Sequence, residues 1–473
     1  MRENILIITA DQLTFRALQA YGGHAQTPNL DRIANGAIRF DRCYTPCPMC
    51  QPARSALWCG RYPHETTVIS NNGMFREECT NPSFTTIGDV FTQGGYEAVH
   101  FGKRHDAGAL RGFACTPEKV TDIAGTAALP FTRDTKCDRH TADVASEWLR
   151  NRAGTHDKPY IAVVEFINPH NICEWIGANE GVHETLPLPG ELPPLPENFA
   201  FDDIANRPRA VQYICCSHRR QTQTTGWTPD DFRAYIAAYY AYIAQFDKEM
   251  GLVLDALDAS GEAENTMILF TADHGDHMAA RGMTTKHAAF YEEVMRVPLF
   301  LRLPGKAKGG TVDTPVSLLD IFPTLCSYAG LAAPETLRGV DLLALANGAK
   351  PNRAYIASEW HTEWGYTVAP GRMICTDSLK YTYYAQDGEE LFDLQNDPYE
   401  KKNVIADSAY ATAAETMRGY LRAFAAETND DIFTLQPYDA VTTPGWKTHA
   451  PGYQNHIGLS APDQYDVQNG ANA

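Results

Sequence analysis

The chain has 473 residues, of which 44% are hydrophobic and 21% charged, an ordinary balance for a globular protein with one large domain and a smaller one. Its formal net charge of −18 argues against a general nucleic-acid-binding or membrane-binding protein, because proteins of these classes usually have basic surfaces. We recognise no pattern typical of a secretory signal and no apolar run of about 18 residues, so we expect no membrane span and a cytoplasmic location.

Apolar runs typical of strands alternate with helical patterns over the first two-thirds of the chain. Strands are predicted over residues 5–9, 97–101, 160–167 and 266–271, and helices over residues 30–36, 86–94, 142–150 and 232–259. This alternation favours an α/β fold with a mainly parallel sheet covered by helices on both faces.

Ionisable or amide side chains follow each of the four predicted strands. They are Asp11 and Gln12, Lys103 and His105, His170, and Asp273 and His274. Ligands of such sheets bind at the carboxyl ends of the strands, which lie at one edge, so we expect these side chains to converge on one site.

The remaining elements predict a large domain over residues 1–345 and a small α+β subdomain over residues 346–430. Residues 171–230 are rich in Pro, Gly and Asn and are predicted to form an insertion that builds a pocket wall. The polar residues 431–473 are predicted to form an extended tail, through which the chain could form a homo-oligomer. The shorter predicted elements are a helix over residues 317–329, strands over residues 355–359, 372–376 and 379–384, and a helix over residues 410–427.

Two pairs of strand-end residues could hold a metal ion. Asp11 with Gln12 and Asp273 with His274 offer two carboxylates, an amide oxygen and an imidazole, which suit a hard or borderline divalent cation. Asp11 alone could equally be a helix cap or a turn residue. The nearby Asp276 and His277 could support the metal ligands from behind or could lie in a solvated loop.

The twelve cysteines are scattered and do not form the dense framework of a small secreted scaffold. Cys47 and Cys50 have the C-x-x-C spacing of disulfides and zinc sites, but no second pair accompanies them. The other cysteines are mostly expected to be small buried apolar residues. A plain Cys50 thiol beside a divalent metal would already be a candidate nucleophile.

Cys50 also begins the pentapeptide Cys-Gln-Pro-Ala-Arg at residues 50–54. This pentapeptide resembles the Cys-x-Pro-x-Arg signature of type I sulfatases, whose cysteine is oxidised to Cα-formylglycine. Ala53 replaces the commoner Ser of that signature, and the sequence through residue 64 resembles the family's continuation. Three further segments resemble family motifs in the same order: Gly-Lys-Arg-His at residues 102–105, Asn-Pro-His at 168–170, and the lysine and Arg-Val-Pro segment at 286–298.

A last match, Glu-Leu-Phe-Asp-Leu through Asn at residues 390–403, extends the resemblance over about residues 1–405. It implies an alkaline-phosphatase-like fold with a catalytic domain and a small C-terminal subdomain. It also implies a formylglycine-generating maturation enzyme as a partner and one divalent metal near Cys50, with calcium expected and manganese or magnesium as alternatives. Gln12 and His274 depart from the usual Asp and Asn and resemble the choline sulfatase and phosphonate monoester hydrolase branch.

The resemblance implies a role for each matched side chain in cleaving a small-molecule or saccharide sulfate ester. The formylglycine hydrate formed from Cys50 would attack sulfur, His170 would assist departure of the alcohol, and His105 would take the proton as sulfate is eliminated. Lys103, Lys286, Arg54 and the metal would spread the charge of the transferring group. His287 could occupy the sulfate-binding position instead of Lys286, which is favoured because its charge is permanent.

Two other functions remain open from the sequence. The same residues could serve a phosphonate monoester or phosphodiester hydrolase, and the chain could also be a non-catalytic binding protein that retains the fold. The natural substrate, whether a sulfated sugar, an aryl sulfate or choline sulfate, does not follow from the motifs. Four tryptophans could stack on a substrate or could be packed in the core: Trp175, Trp227, Trp360 and Trp364.

Overall fold

The computed structural model describes most of the chain and gives no helix long and apolar enough to cross a bilayer in the parts it describes. The described residues are 3–71, 83–116, 136–152, 158–179, 191–200, 206–208, 210–212, 223–224, 226–286, 289–305, 309–361 and 369–435.

The strands within the described residues belong to three sheets. In chain order they are β1 (Asn4–Asp11), β2 (Ile38–Phe40), β3 (Cys43–Tyr44), β4 (Glu97–Gly102), β5 (Ala114–Cys115), β6 (Tyr160–Pro169), β7 (Thr266–Ala272), β8 (Arg296–Val297), β9 (Leu299–Arg302), β10 (Gly310–Val312), β11 (Val316–Ser317), β12 (Ile356–Trp360), β13 (Gly371–Cys375), β14 (Leu379–Tyr384) and β15 (Gly388–Asp393).

Most of the α-helices alternate with the strands along the chain. In chain order they are α1 (Pro28–Ala34), α2 (Cys50–Cys59), α3 (Pro63–Thr66), α4 (Ile87–Gln93), α5 (Lys136–Arg152), α6 (Ile172–Ala178), α7 (Pro229–Ser260), α8 (Glu292–Met295), α9 (Ile321–Ala329), α10 (Leu342–Ala346) and α11 (Ala411–Thr428).

An eight-stranded sheet in the order β10-β2-β9-β7-β1-β6-β4-β5 forms the centre of the fold. The four strands predicted from the sequence, β7, β1, β6 and β4, are neighbours in it and run parallel. β1 is buried along its whole length, which explains its nearly continuous apolar sequence. The predicted fold class is confirmed, and the carboxyl ends of these four strands lie at one edge.

Helix ends differ from their predicted positions for local reasons. α1 begins at Pro28, because proline is favoured in the first helical turn. α7 begins at Pro229 because Thr228 and Asp231 form a capping box around its first turn. The helix predicted over residues 317–329 is a 3₁₀ turn followed by α9. α2, which begins at Cys50, was not predicted from the sequence.

The C-terminal strands β12 to β15 form an antiparallel sheet against which α11 packs. The predicted α+β character of this region is therefore confirmed, and residues 390–393 complete β15. Met417 and Leu421 of α11 share one apolar cluster with Ile374 of β13 and with Ala56 of α2. This contact ties the C-terminal sheet to the helix that carries Cys50.

Several predicted features lie wholly or partly outside the described residues. They include most of the insertion over residues 171–230, the tail beyond residue 435, His287 and Trp364. Within the insertion the structure describes α6 and short segments. The domain boundaries and the role of the tail in an oligomer stay predictions.

Candidate active site

The ends of the four parallel strands and the beginning of α2 meet at one buried point. Asp11 ends β1, and Asp273 follows β7 directly. Lys103 follows β4, and its ammonium group contacts the carboxylate of Asp11. The structure thus brings together side chains that are up to 262 residues apart in the sequence, and α2 delivers Cys50 to the same point.

Cys50 is the first residue of α2 and is 1% exposed. Its Sγ atom lies 3.1 Å from His274 Nε2 and 3.7 Å from Asp11 Oδ1. Burial alone would raise the pKa of this thiol, but the positive charges of Lys286, Lys103 and His274 outweigh burial and hold its pKa well below the usual value. Cys47 and Cys50 are both free thiols, so the structure does not support a disulfide between them.

Arg54 lies one helical turn after Cys50 and bonds three buried carboxylates. Its Nε donates to Asp273 Oδ2 at 3.0 Å, Nη2 to Asp11 Oδ2 at 3.1 Å, and Nη1 to Glu165 Oε1 at 2.5 Å. Arginine suits this position because its planar fork offers donors in fixed directions. Arg54 therefore fixes both aspartates relative to Cys50.

Four of the described side chains at this point could hold a metal ion. The ligand atoms of Asp11, Cys50, Asp273 and His274 lie within 4.8 Å of one another, and all four side chains are buried. Burial and the neighbouring charge of Asp11 raise the pKa of Asp273, and a cation bound between the two carboxylates would favour its ionised form. His274 Nδ1 lies 2.9 Å from the carbonyl of Gly275, to which it can only donate, so Nε2 is left facing Cys50.

Gln12 has a positive φ of 66°, and its backbone N–H donates to Asp273 Oδ1 at 3.0 Å. Its side-chain Oε1 accepts from Lys286 Nζ at 2.8 Å, which places Lys286 at the site. Asp276 and His277 are fully buried, so the alternative of a solvated loop is wrong.

Three cationic or imidazole side chains that interact with Cys50 are less buried than Cys50 itself: Lys103, His105 and His170. Hydrogen bonding to His105 helps lower the pKa of Cys50. Burial and the charge of Lys286 lower the pKa of His170 to about 4, against opposing effects of Asp11 and Cys50. His170 is therefore a neutral imidazole near neutral pH.

Sequence reasoning missed Glu165 and His100, which lie behind Arg54. Glu165 Oε2 lies 2.8 Å from His100 Nε2, and both residues are buried. The signal was present in β6, where Glu165 is a lone charged residue within an apolar strand.

Three of the four tryptophans, Trp175, Trp227 and Trp360, are buried, which favours core packing over substrate stacking.

A family model described as Sulfatase matches residues 3–331 of the chain. The chain belongs to the sulfatase family. A second model, N-sulphoglucosamine sulphohydrolase, C-terminal, matches residues 282–427 of this sulfatase. Membership makes the chain a hydrolase of sulfuric esters and implies a metal ion and a formylglycine. The cluster of Asp11, Cys50, Asp273 and His274 fits such an ion, because two neighbouring buried carboxylates face one imidazole nitrogen.

Curated relatives and solved structures resemble this sulfatase along most of its length. The Delta 4,5-hexuronate-2-O-sulfatase of Bacteroides thetaiotaomicron is 40% identical, over 97% of this chain and 96% of that protein. The choline-sulfatase of Rhizobium meliloti is 28% identical, over 88% and 86%. The structure of a 2-O GAG sulfatase matches with 39% identity and a TM-score of 0.84, covering 92% of this chain and 95% of that one.

A phosphonate monoester hydrolase of Agrobacterium radiobacter shares the fold, with a TM-score of 0.72 at 23% identity over 90% of this chain and 96% of that one.

Proposed function

We propose that the protein removes sulfate from a saccharide sulfate ester at a site built around Cys50. Cys50 is converted to formylglycine by a maturation enzyme, and Asp11, Gln12, Asp273 and His274 hold one divalent ion, calcium rather than manganese or magnesium. The observation that carries this proposal is the position of Cys50 Sγ, 3.1 Å from His274 Nε2 and 3.7 Å from Asp11 Oδ1. When present, the formylglycine hydrate supplies a nucleophilic oxygen and the ion supplies positive charge.

The chain's own residues then bind and orient the sulfate group. Lys286 and Lys103 provide two fixed cations for the sulfate oxygens, and Arg54 holds the metal-binding aspartates in place. The neutral imidazole of His170 donates a hydrogen bond to the leaving oxygen, which a group with a pKa of about 4 can do near neutral pH. His105, which forms a hydrogen bond with Cys50, accepts the proton when sulfate is released.

A 2-O-sulfated hexuronate is the substrate class that we favour. The relative that acts on such a sugar, according to its name, shares 40% of its residues over nearly the whole chain. Choline sulfate would instead bring a quaternary ammonium, which aromatic side chains bind best, and Trp175 and Trp227 are in the core.

A phosphonate monoester hydrolase is the second candidate, because Gln12 and His274 replace the commoner Asp and Asn of sulfatases. A substrate panel distinguishes the candidates when the protein is co-expressed with a maturation enzyme. We expect the largest kcat/KM for a disaccharide with a 2-O-sulfated unsaturated hexuronate, and a much smaller value for the isomer sulfated on the hexosamine. A higher kcat/KM for an aryl phosphonate monoester than for every sulfate would overturn the proposal.

Intact-protein mass spectrometry supplies the control for the maturation step. Conversion of Cys50 to formylglycine lowers the mass, whereas a Cys50→Ala variant shows no such change and no turnover. A persistently unmodified Cys50 in a protein without activity would support a binding protein instead.

A further inference from the structure

Gln12 lies between one partner that can only donate hydrogen bonds and one that, when ionised, can only accept them. Lys286 Nζ donates to Gln12 Oε1 at 2.8 Å, and Gln12 Nε2 donates to Asp276 Oδ2 at 2.7 Å. All three side chains are buried. The amide group of Gln12 is therefore fixed in one of its two orientations, which differ only by exchange of oxygen and nitrogen.

Asp276 is itself held on two sides. Tyr235 Oη donates to Asp276 Oδ1 at 2.6 Å, and the backbone N–H of Met278 donates to the same oxygen at 2.8 Å. Tyr235 lies on the long helix α7 and also accepts from the backbone N–H of Thr285 at 2.9 Å. Because Oδ1 receives these two donors, Oδ2 remains directed at Gln12.

Reversal of the Gln12 amide would create two unfavourable contacts at once. The amide oxygen would face the Asp276 carboxylate, and the NH₂ group would face the ammonium of Lys286. A buried acceptor placed against an acceptor loses its hydrogen bond without compensation from water. If Lys286 were the only partner, the Gln12 amide could reverse whenever the ammonium group turned to a bound sulfate. The hydrogen bond to Asp276 fixes the amide both with and without sulfate.

We infer that Asp276 is a positioning residue, matched to Gln12, that keeps Gln12 Oε1 directed at the metal and sulfate site. Asp276 itself touches neither the ion nor the substrate. The inference rests on the proposed function, because it takes Gln12 as a ligand of the divalent ion. A carboxylate at residue 12 would meet the carboxylate of Asp276, so each residue constrains the other.

Exchanging the hydrogen-bonding roles of the two residues tests this pairing. Asp276→Asn introduces a donor that allows Gln12 to reverse, and Gln12→Glu places two carboxylates together. Each single variant should bind Ca²⁺ and Mn²⁺ about 10- to 100-fold more weakly, as is usual when the support of a metal ligand is lost. In the double variant, the new amide at position 276 can donate to the new carboxylate at position 12. The metal affinity of the double variant should therefore return to within about threefold of that of the unaltered protein. If the two single effects were independent, the double variant would instead bind more weakly than either single variant.

The measurement is calorimetric titration of the full-length, formylglycine-containing protein with CaCl₂ or MnCl₂ after removal of bound ions. Thermal unfolding of the ion-free proteins confirms that each variant folds. Asp247→Asn is the matched control, because Asp247 is a buried carboxylate on helix α7, which also carries Tyr235, and it accepts from the backbone N–H of Leu30 at the start of α1. Its metal affinity should not change.

The outcomes separate this inference from the proposed function. Unaltered affinity in Asp276→Asn, or a double variant as weak as the sum of its single changes, would overturn the pairing while leaving the sulfatase site intact. Failure of the unaltered, active protein to bind any divalent ion would overturn the metal site and the pairing together.

Discussion

Arg54 Nη1 donates to Glu165 Oε1 at 2.5 Å, and each side chain is 1% exposed. The same guanidinium holds Asp11 and Asp273, so the ion pair with Glu165 fixes the arginine from behind while its other nitrogens face the site. Removal of one partner from a buried ion pair is strongly destabilising, because the remaining charge stays buried with fewer partners.

Glu165→Gln should therefore destabilise the protein by about 3–5 kcal/mol, because it removes the buried carboxylate that pairs with both Arg54 and His100. We also expect kcat to fall, since Arg54 would be held less firmly against Asp11 and Asp273. Urea unfolding measures the first effect, and steady-state kinetics with a sulfate ester measures the second.

The control for this change is Asp255→Asn, which removes an ion pair with Arg32 that is largely exposed to solvent. Such pairs contribute little to stability, so the unfolding midpoint should hardly move. Equal stability losses for the two variants would contradict the importance of the buried pair.

Lys286→Met should lower kcat/KM for sulfate esters by roughly 100- to 1,000-fold, the usual effect of removing one fixed donor from developing negative charge. Lys286 is 7% exposed and is the largest stabilising charge on the Cys50 thiolate, so it lies where an anion would bind. Inhibition by inorganic sulfate should weaken in parallel. Lys401→Met, at a half-exposed lysine paired with Glu197, should leave both values unchanged.

Most of the central sheet could be predicted from the sequence because local patterns determine it. Apolar runs of parallel-strand length ended in Asp11, Lys103, His170 and Asp273, and the topology of parallel sheets makes such ends neighbours. No comparable rule located Glu165, which becomes a partner of Arg54 only when residues 111 positions apart are brought together.

The surroundings of Gln12 could not be predicted from the sequence for a related reason. The orientation of its amide depends on Lys286 and Asp276, more than 260 residues away along the chain. Sequence reasoning left Asp276 either supporting the site or solvated, because a short loop motif does not show whether Tyr235 will cover it. Tertiary contacts of this kind decide burial, which residue types alone leave open.

Gly102→Ala should destabilise the fold and displace Lys103. Gly102 ends β4 with a φ of 95°, and an added Cβ would lie 2.1 Å from the backbone oxygen of Glu165. Because that atom belongs to the neighbouring strand, the end of β4 must move, and Lys103 must move with it. We expect a loss of about 2–4 kcal/mol in unfolding free energy, in the range of strained and overpacked core positions, with a reduced kcat.

Gly95→Ala is the matched control for this substitution. Gly95 precedes β4 with a φ of 85°, but an added Cβ would meet nothing within 4 Å. Its cost should be limited to backbone strain of about 1–2 kcal/mol, with kcat unchanged. A kcat for Gly102→Ala equal to that of Gly95→Ala would show that the close approach to Glu165 does not position Lys103.

Glu400 should make the stability of the protein fall as the pH rises through neutrality. Burial raises the pKa of Glu400 to about 7, and the neighbouring Glu292 carboxylate adds to this, although Lys380 opposes it. The folded protein therefore holds a proton between pH 4.5 and 7 that the unfolded chain releases, since the ordinary value of the group is 4.5. The stabilisation is complete below pH 4.5 and is lost as the pH rises through 7.

A Glu400→Gln variant tests the sign of this effect by urea unfolding of the ion-free protein between pH 5 and 8. Its side chain cannot titrate, so the decline in unfolding free energy over this window should be smaller than in the unaltered protein. The variant is expected to be less stable at every pH, because Lys380 loses a buried partner. The slope of stability against pH is therefore the decisive quantity, and an unchanged slope would show that Glu400 is already ionised in the folded protein at pH 5.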